Sequence, residues 1–159
     1  MSQKSLSKWL KSIIAGMAAC GAIIYLYLVP IWGKDLAEAN PELAYCYIPW
    51  LVVILISAIP CYWVLYFGWK ISTEIGKDNS FSEENASYLK NISILAALDS
   101  AYFFTANLVL MILGMNHPGL FLISLLVVFV GIAITVAAAA LSHLVKKAAD
   151  IKKENELTI

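Results

Sequence analysis

Asp99 is the one acidic side chain set inside the long apolar runs of this 159-residue chain, so any chemistry within those runs starts from it. An ionised carboxylate in hydrocarbon is costly and therefore faces a partner or water, which makes such a residue a functional candidate. The chemistry open to it is proton or ion coupling in a transporter. The alternative is a structural Asp bonded to a hydroxyl or amide of another helix, with Ser57, Ser100, Asn107 and Ser124 as available groups; no basic residue lies at matching depth. Nothing else has catalytic spacing. The two histidines, His117 and His143, stand far apart, and no HExxH, phosphate loop, CxxC or nucleophile elbow is present. Cys20, Cys46 and Cys61 lack metal-ligand spacing, and Cys61 lies about 20 Å along its helix from Cys46, too far to bridge. They read as small apolar packing residues. Intramembrane hydrolysis needs paired groups at shared depth, and Asp99 stands alone. No enzyme, cofactor or metal site is expected.

The elements that must carry Asp99 are membrane spans. Hydrophobic residues make up 61% of the chain and charged residues 14%, well below the roughly 25% of soluble domains. Four apolar runs, 13–32, 48–69, 92–114 and 119–145, each suffice to cross a hydrocarbon core, which takes about 20 helical residues. The expected fold is all-α: one polytopic domain of four transmembrane helices in a four-helix bundle. All eleven basic residues are lysines, and ten of them fall at the N-terminus, in loop 70–91 or in the tail 146–159; only Lys34 lies on the other side. The positive-inside rule then predicts both termini and the central loop to be cytoplasmic. The first run has no small-x-small cleavage site and is expected to stay as an anchor.

Local signals refine this picture. Small residues at four-residue intervals, Ala15/Ala19 and Ala18/Ala22 with Gly16 and Gly21, predict close helix approach in span one, and Gly131, Thr135 and Ala139 predict a packing face in span four. Pro41 ends any helical turn in the outer loop 33–47, and Pro60 predicts a kink in span two. In the central loop, Ser82 is an N-cap, Glu83 and Glu84 suit the positive end of a helix dipole, and Phe81 precedes the cap as a hydrophobic staple. Asn85 stands where a full capping box has Glu or Gln. Leu157 and Ile159 are apolar residues on an otherwise polar tail.

The run Leu36-Ala37-Glu38-Ala39-Asn40-Pro41-Glu42-Leu43-Ala44-Tyr45, with Ala58-Ile59-Pro60, Phe81-Ser82, Leu89-Lys90-Asn91-Ile92 and the ending Asp150 to Ile159, resembles the bacterial membrane proteins grouped as domain of unknown function 2975. The likeness extends over nearly the whole chain and includes loops, where hydrophobicity alone would not produce it. The family has no established enzymatic chemistry. Its genes often neighbour one for a small helix-turn-helix regulator, so the resemblance implies a cytoplasmic protein partner. The leading expectation is a regulatory or scaffolding protein that binds such a regulator through loop 70–91 and the tail, with Phe81, Ser82, Glu83, Glu84, Tyr88, Ile151, Leu157 and Ile159 as partner-binding residues. Contact with lipid is expected throughout, homo-oligomers are open, and direct nucleic-acid binding is not expected because cytoplasmic lysines are offset by acids. The alternatives are a small oligomeric transporter using Asp99 and an immunity or envelope-stress protein acting through outer loop 33–47.

Overall fold

The computed structural model describes residues 2–157, with side chains through Asn155. Among these residues there is no strand, and four helical stretches are long and apolar enough to cross a membrane. The first consists of α1 (Gln3–Ile23), a five-residue π-helical segment (Ile24–Leu28) and α2 (Val29–Ala39). The π segment ends two residues before Pro30. Proline has no N–H to return to the carbonyl four residues back, and the ladder widens just before it, with the Val29 N–H reaching Ile24 O. The helix therefore runs past Trp32 and ends at Asn40, whose backbone and side-chain nitrogens both donate to Leu36 O. Pro41 then starts a 3-10 turn (Pro41–Cys46), so the stretch expected to be a loop, 33–47, is helical apart from Asn40.

The remaining helices are α3 (Tyr47–Gly76), which carries Pro60 in its interior, α4 (Glu83–Ile112) and α5 (Pro118–Leu157). At 1.5 Å per residue α5 is about 60 Å long, twice the thickness of a bilayer core of about 30 Å. Its last turns continue past the apolar run ending at Val145.

Each helix packs on its neighbour in chain order: α1 on α3, α3 on α4, α4 on α5. Among the described residues α1 and α5 make no close backbone approach, nor do α1 and α4 or α3 and α5. The expected four-helix bundle is thus an open row curled around a central gap, with α1 and α5 apart.

The interior is small and polar, the exterior large and apolar. Buried residues include Ser7, Ser72, Ser93, Ser100, Asn107 and Ser124, whereas Leu26, Leu122, Leu126 and Phe129 are exposed. In lipid this is the favourable order, since large side chains gain nothing by leaving hydrocarbon while small ones allow backbones to approach. The α4–α5 seam illustrates it. Ala86, Ser93, Ser100 and Asn107 are buried at seven-residue spacing on α4. They meet a stripe on α5 that includes Gly131, Thr135, Ala138, Ser142, Val145 and Ala149, alternating steps of three and four. A 3.5-residue period is that of a left-handed crossing. Ser93 Oγ donates to Thr135 O at 2.9 Å, Ser142 Oγ donates to Ala86 O at 2.6 Å, and a Cβ on Gly131 would collide with Ser100 Oγ. The expected stripe Gly131/Thr135/Ala139 gives way after Thr135 to Ala138, because a strict four-residue step drifts off the seam; Ala139 is exposed.

On α1, only one of the two anticipated small-residue stripes is used. Gly21 approaches the Tyr62 ring edge and Tyr62 Oη donates to Ala18 O at 2.8 Å, while Ala15, Gly16 and Ala19 face outward. Ser7 Oγ donates to Ser72 O at 2.5 Å and sits in the space left by Gly76, seating the start of α1 on the end of α3.

At the opposite, lysine-poor end, Tyr45 Oη donates to Gly114 O at 3.2 Å and Trp50 Nε1 donates to Met115 O at 2.9 Å. Asn116 Nδ2 donates to the carbonyl and side-chain oxygens of the fully buried Asn107. Gly114, at φ +70, closes α4: Met115 N–H returns to Leu110 O and Gly114 N–H to Met111 O, the paired bonds of a Schellman stop.

Candidate functional site

Two regions combine polar groups with accessible space: the lysine-rich ends of α3, α4 and α5, and the neighbourhood of Asp99.

At the lysine-rich end, α3 stops in the same Schellman geometry as α4, with Asp78 in place of glycine. Asn79 N–H returns to Glu74 O at 3.0 Å and Asp78 N–H to Ile75 O at 3.1 Å, which requires the left-handed φ of +62 seen at Asp78. The Glu74 carboxylate accepts from Asn79 Nδ2 and from Lys77 Nζ, tying the turn to the helix. The same carboxylate holds the Lys77 ammonium above its ordinary pKa, so this pair persists at neutral pH, and its lysine side is lost as pH rises through that raised value.

The chain then reverses into α4 through two side chains. Ser82 Oγ accepts the Asn85 N–H at 3.2 Å as the N-cap, and Asn85 Nδ2 reaches back to the carbonyls of Asn79 and Ser80 at 3.2 and 3.0 Å. Asn85 is 2% exposed. The position lacking a capping-box acid is therefore the one that ties the loop down, with an amide that donates where Glu could only accept.

The sequence-predicted partner residues divide accordingly. Phe81 is 57% exposed and does not pack as a staple. Ser82 is buried as the cap. Glu83 and Glu84 are exposed in the first turn, with Glu83 at 3.7 Å from Lys153 of α5. Tyr88 stacks on Phe67 with ring centroids 5.9 Å apart, turned toward the helices. Ile151 is 51% exposed. The side chain of Leu157, and Ile159 altogether, lie outside the described residues. Phe81, Glu83, Glu84 and Ile151 thus belong to one exposed end, joined by the Glu83–Lys153 contact.

Around Asp99 the structure forms a chain of polar groups joining three helical segments. Ser57 Oγ donates to Asp99 Oδ2 at 3.2 Å, Cys61 Sγ approaches the same oxygen at 3.8 Å, and Tyr25 Oη lies 3.9 Å from Cys61 Sγ. Of the four groups anticipated for Asp99, only Ser57 is used: Ser100 and Ser124 bond to carbonyls of their own helices, and Asn107 serves the far end. Cys61, expected to be an apolar filler, is instead part of the polar chain. The signal was present in its spacing, since Ser57 and Cys61 are four residues apart and share a face of α3. Asp99 Oδ1 is buried without a hydrogen-bond partner.

The cluster borders a cavity of about 530 Å³ in the gap left by the open row. Its walls come from α1 and the π segment (Met17, Gly21, Tyr25), from α3 around Pro60, and from α4 and α5. No lysine, arginine or histidine lines it. Among the described residues, no three His, Cys, Asp or Glu side chains come together in a way that could hold a metal ion.

Comparison with known proteins agrees with this architecture. Residues 31–159 match the family described as "Protein of unknown function (DUF2975)". The protein of Bacillus subtilis (strain 168) described as "Uncharacterized membrane protein YoaS" is 34% identical over 136 residues, covering 84% of this chain and 85% of that one. No solved structure matches the chain. A family match over most of the sequence, a relative of similar length and four membrane-spanning helices lead to one statement of identity: the chain belongs to the DUF2975 family of membrane proteins.

Proposed function

We propose that this protein is a non-catalytic regulatory or scaffolding component of a bacterial plasma membrane, with both termini in the cytoplasm, that docks a cytoplasmic protein on the lysine-rich ends of α4 and α5. The observation that carries the reading is a preformed surface outside the apolar runs. Phe81 and Ile151 are exposed large apolar side chains on polar segments. Phe81 stands one residue before a buried cap, and Ile151 two residues before the lysine that meets Glu83. Hydrogen bonds accepted by Ser82 and donated by Asn85 and Ser142 hold the backbone behind them. Such preorganisation lowers the ordering cost of binding.

The partner suggested by the family resemblance is a small helix-turn-helix regulator. Glu83 and Glu84 share this end with Lys90, Lys152 and Lys153, so the surface is mixed in charge and suits a partner face that is mixed likewise. Docking would hold the regulator away from DNA by sequestering it at the membrane. The test is purification of the tagged full chain in mild detergent from its host. A stoichiometric helix-turn-helix protein that is lost on Phe81→Asp or Ile151→Asp supports the reading. A protein that co-purifies equally with both variants, or no such protein at all, defeats it.

A further inference from the structure

The polar chain at Asp99 and the cavity beside it stand apart from the docking surface, and they carry an inference that does not depend on it. In a membrane protein whose spans pack through small residues, a void at the level of a half-buried carboxylate is not a by-product of crowding by large side chains. It arises because α1 and α5 do not approach, while Gly21 and Gly131 contribute walls without side chains. Its volume, about 530 Å³, lies within the roughly 300–1,000 Å³ of small-molecule sites.

The chemistry of the walls selects the occupant. Ile54, Leu65, Leu95, Phe103, Val127 and Ile134 accept an apolar body. One carboxylate oxygen, Asp99 Oδ2, already accepts from Ser57 and meets Cys61; the other, Oδ1, has no donor. The walls supply no positive charge to balance an ionised Asp99. A ligand that brings both the missing donor and the missing charge on an apolar frame is a lipophilic ammonium. We infer that the cavity between α1, α3, α4 and α5 is a binding site for a small apolar amine, whose ammonium is received by Asp99 while Ser57 and Cys61 hold the carboxylate in place.

An acyl chain or a neutral alcohol would satisfy the apolar walls but not the carboxylate, which gives the test its discrimination. The full chain in lipid nanodiscs is titrated with tritiated aminoadamantane, with adamantanol as the neutral competitor and empty nanodiscs as the partition control. The expected result is saturable binding of one amine per chain, weakened roughly tenfold to hundredfold by Asp99→Asn, as for loss of a charge-assisted bond, with no displacement by adamantanol. Met17→Trp, at a cavity position that is 56% exposed and away from the polar cluster, is expected to weaken binding also, and serves if the Asp99 variant does not fold. Non-saturable uptake, equal binding to Asp99→Asn, or equal competition by adamantanol overturns the inference; the last would assign the cavity to a neutral apolar occupant such as an acyl chain.

Discussion

Replacing Asn85 by alanine should loosen the turn that presents Phe81 without disturbing the spans. The amide donates two hydrogen bonds at 3.2 and 3.0 Å to the carbonyls of Asn79 and Ser80, from a side chain that is almost fully buried. Each such bond contributes about 1 kcal/mol net, so losing both costs ~2 kcal/mol. The Asn85 Oδ1 has no partner, so its removal loses no further bond. A local destabilisation of ~2 kcal/mol multiplies the opening equilibrium roughly thirtyfold, at about 1.4 kcal/mol per factor of ten. Hydrogen–deuterium exchange read by mass spectrometry on peptides from 77–90 is expected to speed up by that factor in Asn85→Ala. Exchange in the middle of α4 should stay unchanged, because local opening is independent of global unfolding. Exchange within twofold of the wild type across 77–90 would refute the assignment of Asn85 as the residue holding the loop.

Further expectations follow from the helix seams and stops. Asp78→Gly relieves a non-glycine left-handed conformation and should stabilise the protein by ~1 kcal/mol, seen as a higher unfolding midpoint in detergent. Gly131→Leu drives a side chain into the position held by Ser100 and should cost ~2 kcal/mol or more, lowering the same midpoint; an unchanged midpoint would mean that the α4–α5 seam is looser than its contacts imply. Ser93→Ala removes one interhelical bond and should cost only ~0.6 kcal/mol by comparison with similar bonds in membrane proteins. Phe81→Ala should leave thermal stability within ~0.5 kcal/mol, since the side chain is exposed, while reducing partner capture.

What was legible in the sequence follows from how membranes constrain a chain. Four apolar runs of sufficient length had to become helices, because unsatisfied backbone groups are not tolerated in hydrocarbon. Ser82 as a cap and Pro41 as a stop are local rules, and both hold. Helix ends proved less legible. Trp32 looked like the end of a span, yet the helix continues to Ala39, since the π segment accommodates Pro30 and no proline follows until Pro41.

Packing was legible only in part. The four-residue stripes on α1 and α5 pointed to close approach but placed Ala15, Ala19 and Ala139 on seams that do not use them. The seven-residue series Ala86, Ser93, Ser100 and Asn107 was equally visible and describes the α4 side of the seam better. The polar chain at Asp99 depends on which face of α3 meets α4, which hydrophobicity does not reveal in spans that are apolar on every side. Asn85 read only as an incomplete capping box because that motif has an acceptor at that position, whereas this turn needs a donor.

The most direct test of the docking account is site-specific photocrosslinking in the native host, with a photoreactive phenylalanine analogue placed at position 81, at position 151 and, as a reference on the opposite side, at position 42. The account predicts that positions 81 and 151 capture the same small cytoplasmic protein and that position 42 does not. Capture of a protein at position 42 alone, with only lipid or nothing at 81 and 151, would contradict it and move the function to the other face of the membrane.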